Sequence, residues 1–262
     1  METLRIERDT DLPGLVTITL DRPESLNAIS FTMHHELQEA CRELADDPAA
    51  RVVIVTGEGR AFSAGADLGK RGAAAKSVPA EPRALPPLEE RLRSATGSRT
   101  CAALEGLPQV TIGAVNGLAV GGAVAFLACL DIRLAAESAW FSIPEVDLDI
   151  PLTWHTLPRL VRELGPARTK ELVMGCDRFS AQEALAWGFV NRVVPDGEVV
   201  AAARRLAERL LAKDPMAVAM TKSSVNAIAE AMVPAALSHA DPDYLFMARL
   251  LRSERQARNS NE

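Results

Sequence analysis

The segment Val115-Asn-Gly-Leu-Ala-Val-Gly-Gly-Ala123 contains three glycines, and it directly follows an apolar run from Val110. An earlier segment, Thr56-Gly-Glu-Gly-Arg-Ala-Phe-Ser-Ala-Gly-Ala-Asp-Leu68, follows the run Val52-Val-Ile-Val55 in the same way. Each run predicts a strand buried on both faces. Small residues let the backbone approach a ligand, and free N–H groups can bind developing negative charge. Either segment alone indicates only a tight turn, but two side by side would make an oxyanion hole without any side chain.

The chain before these segments predicts the fold class. The β-branched run Leu15-Val-Thr-Ile-Thr-Leu20 indicates a strand. Ser30 can cap a helix whose apolar residues recur every three to four positions. These residues are Met33, Leu37, Cys41 and Leu44. Together with the run after Arg51, the order is strand, helix, strand, which favours an α/β layered fold.

The rest of the chain predicts short strands followed by helices. Ser180-Ala-Gln-Glu183 is a capping box for a helix that Gly188 ends. The predicted strands are 132–135, 139–143 and 190–194, and the predicted amphipathic helices are 198–213, 215–229 and 234–252. The Ala- and Pro-rich range 69–100 indicates a mobile surface segment with a helix in its later part. Its earlier part is either a binding loop or disordered.

Composition limits the classes of function. Apolar residues make up 48% of the 262 residues, aromatic residues only 4%, and the formal net charge is −6. An acidic chain with few aromatic residues is a poor candidate for binding nucleic acid. The uncharged range 106–130 contains five glycines and a proline, so a strand, a turn and a buried helix explain it better than a membrane span.

The cysteines and histidines give little support to a metal site. The four cysteines form no CxxC pair, and the four histidines form no HExxH pattern. The cysteines therefore indicate buried apolar residues in a reducing compartment. We expect no bound metal and a cytoplasmic location.

Four motifs, in order, give the chain a resemblance to the crotonase superfamily, also called the enoyl-CoA hydratase/isomerase family. They are Arg22-Pro-Glu-Ser-Leu-Asn-Ala28 and the ranges 52–68, 108–122 and 180–194. The resemblance implies an α/β fold built as a spiral of repeated β-β-α units. It implies an acyl-CoA-binding core over residues 1–195 and a helical region over 196–262 that packs on the core and on neighbouring subunits. A homotrimer or homohexamer is the implied assembly.

The same resemblance implies a site for an acyl-CoA substrate, with no separate cofactor. The N–H groups of Ala66 and Gly122 would point at the thioester carbonyl. Coenzyme A would lie along the two early motifs, at Arg22, Ala28, Ala64, Gly65, Asp67 and Leu68. Lys222 is the implied phosphate contact, across a subunit boundary, with a solvated helix lysine as the alternative.

The acid and base of the implied chemistry are incomplete in this chain. Hydratases of the family use two glutamates. Glu145, in Phe141-Ser-Ile-Pro-Glu145, matches one of them, whereas Ala125 stands at the position of the other. One base can move a proton between two carbons, so a single glutamate favours double-bond isomerisation. The alternatives are a hydratase with a substitute acid, Asp149 or His155, and a non-catalytic acyl-CoA-binding protein.

The residues that follow Glu145 depart furthest from the family pattern. If Glu145-Val-Asp-Leu-Asp149 is extended, its three carboxylates share one side and raise at least one pKa. A solvated acidic edge is the alternative for Asp147. Trp154 and His155 stand where relatives have small residues. Either the two side chains narrow the acyl pocket, or His155 replaces the missing acid; a simply packed side chain is the further alternative for His155.

Overall fold

The computed structural model describes residues 1–68 and 85–259. The strands are β1 (Leu4–Arg8), β2 (Leu15–Leu20), β3 (Val52–Gly57), β4 (Ala61–Ser63), β5 (Val110–Val115), β6 (Leu118–Val120), β7 (Ile132–Ala136), β8 (Trp140–Ser142), β9 (Phe179–Ser180) and β10 (Arg192–Val194). The helices are α1 (Phe31–Ala45), α2 (Pro87–Ser94), α3 (Thr96–Glu105), α4 (Gly122–Leu127), α5 (Thr156–Gly175), α6 (Ala181–Ala186), α7 (Val199–Leu211), α8 (Pro215–Met232) and α9 (Asp241–Asn259).

The strands form two sheets, and the chain passes from the larger to the smaller sheet three times in the same way. The larger sheet has the order β1-β2-β3-β5-β7-β10 and is parallel except for the β1–β2 pair. The smaller has the order β4-β6-β8-β9, with β4, β6 and β8 parallel. Each of β3, β5 and β7 leaves the larger sheet by a short turn into the smaller one. The predicted spiral of β-β-α units is thereby confirmed, most clearly in β5-β6-α4 and β7-β8-α5.

The core forms where the sequence pattern places it. Ser30 caps α1 by accepting a hydrogen bond from the backbone N–H of Met33 at 3.1 Å, and all four predicted apolar residues of α1 are buried. Every residue of β3 and of β5 is buried. The first helix of the C-terminal region, α7, packs its apolar face on the larger sheet and closes a second core cluster there. The two buried strands thus hold the turns that follow them rigidly.

The C-terminal helices differ from the prediction at one point. A single helix over 234–252 was predicted, but the structure has a 3-10 turn at Ala235–Ser238 and begins α9 at Asp241. Pro242 explains the break, because a proline has no N–H to continue a preceding helix but fits the first turn of a new one. The capping box at Ser180 and the burial of all four cysteines are confirmed.

Two further properties concern only residues 1–68 and 85–259. Within them, no helix is long and apolar enough to cross a membrane. Among the same residues, no three His, Cys, Asp or Glu side chains gather in a way that would hold a metal ion. The range 69–100 is helical in its later part, as predicted, and its residues 69–84 lie outside the described structure.

Candidate active site

The two glycine-rich segments touch each other at the ends of β4 and β6. Gly65 has a φ of +81°, and a Cβ atom added to it would lie 2.3 Å from the carbonyl oxygen of Val120 and 3.3 Å from the backbone nitrogen of Gly122. No side chain fits in that gap, so glycine is required both for the backbone angle and for the close approach. We refer to residues 56–68 and 115–123 together as the glycine cradle.

Buried polar side chains brace the first half of the glycine cradle. The side-chain amide of Asn27 donates to the carbonyl oxygens of Glu58 and Ala61, each at 2.9 Å. Asn116 donates from the second half to the carbonyl of Gly59 at 2.9 Å. Ser63 donates to the carbonyl of Asn27 at 2.7 Å. Sequence reasoning did not single out these three residues, although Asn27 belongs to the first family motif.

Two backbone N–H groups of the cradle are left for a ligand. Ile29 forms an isolated β-bridge with Ala66. The N–H of Ile29 donates to the carbonyl of Gly65, and its carbonyl accepts from the N–H of Asp67. Ala66 itself is exposed, and Gly122 is the first residue of α4, where a helix leaves its N–H unpaired. Across residues 1–68 and 85–259, neither N–H donates to another group of the protein. Both are therefore available to an oxyanion.

Glu145 lies against the second half of the cradle. Strand β8 runs parallel to β6, and the N–H of Gly121 donates to the carbonyl of Ser142 at 2.9 Å. The chain leaving β8 thus brings Glu145 beside Gly121. A Cβ added to Gly121 would lie 2.6 Å from Oε1 of Glu145. The absence of a side chain at Gly121 is what lets the carboxyl group reach the cradle.

Burial controls the ionisation of Glu145. The residue is partly exposed as a whole, but its Oε2 atom is inaccessible and has no hydrogen-bond partner in the described part of the chain. Loss of solvation raises the pKa of Glu145 from 4.5 to about 7. No neighbouring charge contributes to this increase, so no second carboxylate of the described residues acts on this group. A carboxyl group with this pKa exchanges protons readily at neutral pH.

The segment that carries the three carboxylates is not extended, so they do not share one side, and Asp147 belongs to a solvated edge. Residues Val146–Leu148 form a 3-10 turn, and Asp149 has a left-handed φ of 57°. In such a turn, residues two apart point in different directions. Glu145 therefore points inward, while Asp147 and Asp149 are exposed. The raised pKa of Glu145 comes from burial and not from like charges sharing a side.

Ala125, Trp154 and His155 are the residues at which this site departs from the family pattern of two glutamates. Ala125 is buried in α4 and has no ionisable group. The indole of Trp154 stacks on Phe126, one position further along the same helix, with ring centroids 5.8 Å apart. The backbone N–H of His155 donates to Asp241 at 2.7 Å. Its half-buried imidazole has a lowered pKa, caused mainly by burial, which keeps it neutral.

The coenzyme A residues implied by the family resemblance gather at the open side of the first turn. Nη1 of Arg22 donates to the carbonyl of Ala28 at 2.6 Å and to the carboxylate of Asp67 at 2.8 Å. The N–H of Ala64 donates to Leu26 at 2.8 Å, which joins the two early motifs. Gly65 lies within this loop, and the half-buried Leu68 ends it.

Lys222 is not part of this cluster. Its ammonium donates to the carboxylate of Asp131 and to the carbonyl of Gln109, both at 2.7 Å. Asp131 immediately precedes β7 and also accepts from Thr111 at the beginning of β5. Lys222 therefore lies at the end of the sheet where the strands begin, whereas the cradle follows the ends of β3 and β5. Within one protomer, the structure does not bring Lys222 to the other coenzyme A residues.

His34 is a component of the site that the sequence analysis overlooked. It is buried on α1, and its Nδ1 lies 2.9 Å from the hydroxyl of Thr100. Its ring packs edge-on against Trp154, with centroids 4.9 Å apart. Burial lowers the pKa of His34 to about 4, so the ring is neutral at physiological pH. The apolar spacing of α1 predicted a buried face, but His34 adjoins Met33 on that face and gave no separate signal.

Comparison with known proteins agrees with this geometry. The family model described as "Enoyl-CoA hydratase/isomerase" matches residues 12–247. A carnitinyl-CoA dehydratase of Salmonella typhi is 37% identical over 232 residues, which cover 87% of this chain and 82% of that protein. A crotonyl-CoA hydratase of Syntrophomonas wolfei is 34% identical over 213 residues, covering 81% and 78% of the two chains.

A solved structure gives the same result for the fold. The enoyl-CoA hydratase from Bacillus anthracis superimposes with a TM-score of 0.76 at 33% identity, covering 85% of this chain and 82% of that one. The residues matched by the family model include both halves of the glycine cradle and Glu145. This chain belongs to the enoyl-CoA hydratase/isomerase family of the crotonase superfamily.

Proposed function

We propose that this enzyme moves the double bond of an enoyl-CoA thioester, with Glu145 as the single acid and base. The observation that carries the proposal is the carboxyl group of Glu145 against Gly121, with an unpartnered Oε2 and a pKa of about 7. A group with this pKa is present in both protonation states at neutral pH. It can therefore take a proton and return it without a second residue.

The reaction follows from the positions of three groups. The thioester oxygen accepts hydrogen bonds from the N–H groups of Ala66 and Gly122. The Glu145 carboxylate removes a proton from the carbon next to the thioester of a 3-enoyl-CoA, and the electron pair moves onto the thioester oxygen. Glu145 then gives the proton to the carbon two positions away, which leaves a 2-enoyl-CoA. Two fixed N–H dipoles stabilise the enolate oxygen more than the ground-state carbonyl, and removing one such donor typically costs about 10²–10³ in rate.

Hydration is the second candidate, because the relatives at 34% and 37% identity are named as a hydratase and a dehydratase. In that case Glu145 alone would have to orient the water and supply the proton to the substrate. Ala125 cannot assist, and Asp149 is exposed. His155 remains as a substitute acid, although its lowered pKa makes it a weak one. This shortage of proton donors is why we favour isomerisation.

We propose that coenzyme A lies along the loop of Arg22, Ala28, Ala64, Asp67 and Leu68. The loop is close to Ala66, so the pantetheine end of the ligand would reach the oxyanion site directly. Arg22 is held by Asp67, which fixes the guanidinium at the rim of the site. Lys222 contributes to this site only if it is released from Asp131 or supplied by a neighbouring subunit.

We further propose that the protein assembles as a homotrimer or homohexamer through its C-terminal helices. Helix α8 has no buried residue in the single chain, and its large apolar side chains are exposed. These are Met216, Met220, Val225, Ile228 and Met232. Several large apolar side chains exposed on one helix favour a protein interface, because burial between subunits would remove them from water.

The deciding experiment distinguishes an isomerase, a hydratase and a binding protein by the masses of the acyl-CoA products. The protein is incubated with 3-enoyl- and 2-enoyl-CoA substrates in heavy water, and the products are analysed by mass spectrometry. We expect conversion of 3-enoyl- to 2-enoyl-CoA, with deuterium next to the thioester in recovered 3-enoyl-CoA and two carbons further along in the product. Rapid addition of water to 2-enoyl-CoA would show a hydratase instead. Binding without exchange or conversion would show a protein that only holds acyl-CoA.

A further inference from the structure

The indole of Trp154 is wedged between two glycines on different helices. A Cβ added to Gly97 on α3 would lie 2.2 Å from the ring, and one added to Gly122 on α4 would lie 2.3 Å from it. Each glycine thus packs its bare Cα against the indole ring. Gly122 is also the residue whose N–H is left for the oxyanion. Trp154 therefore packs directly against the residue whose N–H would bind the thioester carbonyl.

The backbone that carries Trp154 is strained and held from several sides. Trp154 and His155 have consecutive left-handed φ values of 64° and 58°, a conformation that costs roughly 1–3 kcal/mol for each non-glycine residue. Asp241 of α9 accepts from the N–H of His155 at 2.7 Å. Arg159 donates to the carbonyl of His155 at 2.8 Å and to that of Trp154 at 3.3 Å. Strain retained in this way is a reason to look for a function of the side chain.

The far side of the indole is closed by other rings. His34 packs edge-on at 4.9 Å and Phe126 is stacked at 5.8 Å. His34 is fixed in turn by Thr100, which also accepts from Gln38 at 2.8 Å. The indole cannot move away from Gly122 without displacing this cluster. We refer to the indole, held in this way, as the rigid wall of the proposed acyl site.

The direction of the acyl chain follows from the groups around Gly122. The N–H of Gly122 fixes the carbonyl, and the carboxyl group at Gly121 must face the carbons that exchange protons. Coenzyme A occupies the side of Arg22 and Asp67, so the acyl chain leaves the carbonyl on the other side. The indole of Trp154 lies against Gly122, and the carboxyl group of Glu145 lies against the adjacent Gly121. We infer that an acyl chain running from the carbonyl past Glu145 meets the indole.

We propose that Trp154 is a specificity-determining residue that restricts this enzyme to short acyl groups, of about the size of butyryl, and excludes unbranched medium and long chains. This inference rests on the proposed acyl-CoA site. It adds the substrate class that the site accepts. The wall acts by steric exclusion, so it affects binding of saturated acyl-CoA as well as turnover of enoyl-CoA.

The test measures binding of butyryl-, hexanoyl- and decanoyl-CoA by isothermal titration calorimetry. These saturated thioesters cannot isomerise or add water, so binding is separated from chemistry. We expect the wild type to bind butyryl-CoA at least about tenfold more tightly than decanoyl-CoA, since mismatched methylenes in a pocket cost about that much. Trp154→Ala should raise the affinity for decanoyl-CoA at least about tenfold and remove the preference. Equal binding of all three by the wild type, or an unchanged preference in Trp154→Ala, would overturn the proposal.

Matched variants keep the result interpretable. Trp187 is also half-buried, but it packs on Phe179 and Arg168 away from the cradle. Trp187→Ala should leave the chain-length preference unchanged. If Trp154→Ala does not fold, Trp154→Phe keeps a ring at the site and should shift the preference in the same direction by a smaller factor. Binding preference without any turnover of enoyl-CoA would contradict the proposed function while the steric wall stands, whereas turnover without preference would contradict only the wall.

Discussion

The glycine cradle and the turn formed by Trp154 and His155 both border the proposed thioester site, but they are built by opposite means. The cradle is held by short-range backbone contacts and by neutral amides such as Asn27 and Asn116. The Trp154–His155 turn is held by charged side chains from two other elements, Asp241 and Arg159. The proposed oxyanion donors of the cradle are thus backbone groups, which few substitutions disturb. The proposed selectivity of the Trp154–His155 turn depends on side-chain contacts, which a single substitution can remove.

Arg159 shows that the Trp154–His155 turn depends on charged side chains. Its side chain is fully buried, and its guanidinium pairs with Glu105, which also binds Arg162 at 2.6 Å. The pairing with both arginines offsets the effect of burial and holds the pKa of Glu105 below its usual range. A buried ion pair of this kind adds little net stability, but breaking it leaves an uncompensated charge. The Trp154–His155 turn therefore depends on a polar network that must remain complete.

The largest expected effect is on the chemistry of the cradle. Glu145→Gln preserves the shape of the side chain and removes the ionisable group. Turnover and exchange of the proton next to the thioester should both fall by about 10²–10⁴, the usual contribution of a general base. Binding of butyryl-CoA should be nearly unchanged. Asp147→Asn, two residues away and exposed, is the matched control and should retain activity; full activity of Glu145→Gln would place the base elsewhere.

A second substitution tests whether the cradle depends on close backbone contact. Gly65→Ala places a Cβ atom 2.3 Å from the carbonyl of Val120, so the two halves of the cradle must separate. We expect kcat to fall by about 10²-fold because the N–H groups of Ala66 and Gly122 no longer converge. Gly188→Ala provides the comparison, since its φ is also left-handed at +85° but nothing lies within 4 Å of its added Cβ. That variant should lose stability only, and equal activity loss in both variants would refute the argument from contact.

The smallest effect concerns the charged support of the Trp154–His155 turn. Burial raises the pKa of Asp241 from 3.8 to about 6, so the folded protein binds this proton more tightly than the unfolded chain. The contribution of Asp241 to stability therefore decreases as the pH rises from about 4 to about 6. Asp241→Asn cannot titrate, and its free energy of unfolding relative to wild type should increase by about 1 kcal/mol across this interval, after allowance for solvent screening. Urea unfolding of both proteins at pH 4 and pH 7 measures the change; a difference independent of pH would contradict it.

Periodicity and capping signals predicted most of the individual strands and helices and the α/β class, whereas the spiral of β-β-α units was implied only by the family resemblance. The β-branched runs became β2, β3 and β5, the three-to-four spacing after Ser30 became α1, and the glycine-rich segments became adjacent turns. Glu145 was identified only through the resemblance, because nothing in its local sequence shows that it will be buried. Its inward position depends on the pairing of β8 with β6, which involves residues far apart in the chain.

The features that sequence patterns missed are those fixed by long-range contacts. Two consecutive left-handed residues, Trp154 and His155, are unfavourable by local preference and exist because Asp241 and Arg159 hold them. The segment after Glu145 forms a 3-10 turn, so the extended conformation that would have aligned its three carboxylates does not occur. Both places lie next to the proposed acyl-CoA site.

The tie between His155 and Asp241 has a consequence for the order in which the site is completed. A chain emerging from the ribosome presents its N-terminal part first, and the residues of the cradle and Glu145 are all synthesised long before Asp241. Once Arg159 has also been synthesised, the Trp154–His155 turn has its contacts from Arg159 but not yet its contact from Asp241. A chain shortened before α9 would therefore keep the glycine cradle and Glu145, the groups proposed for catalysis, but would lose one anchor of the residue proposed to determine selectivity.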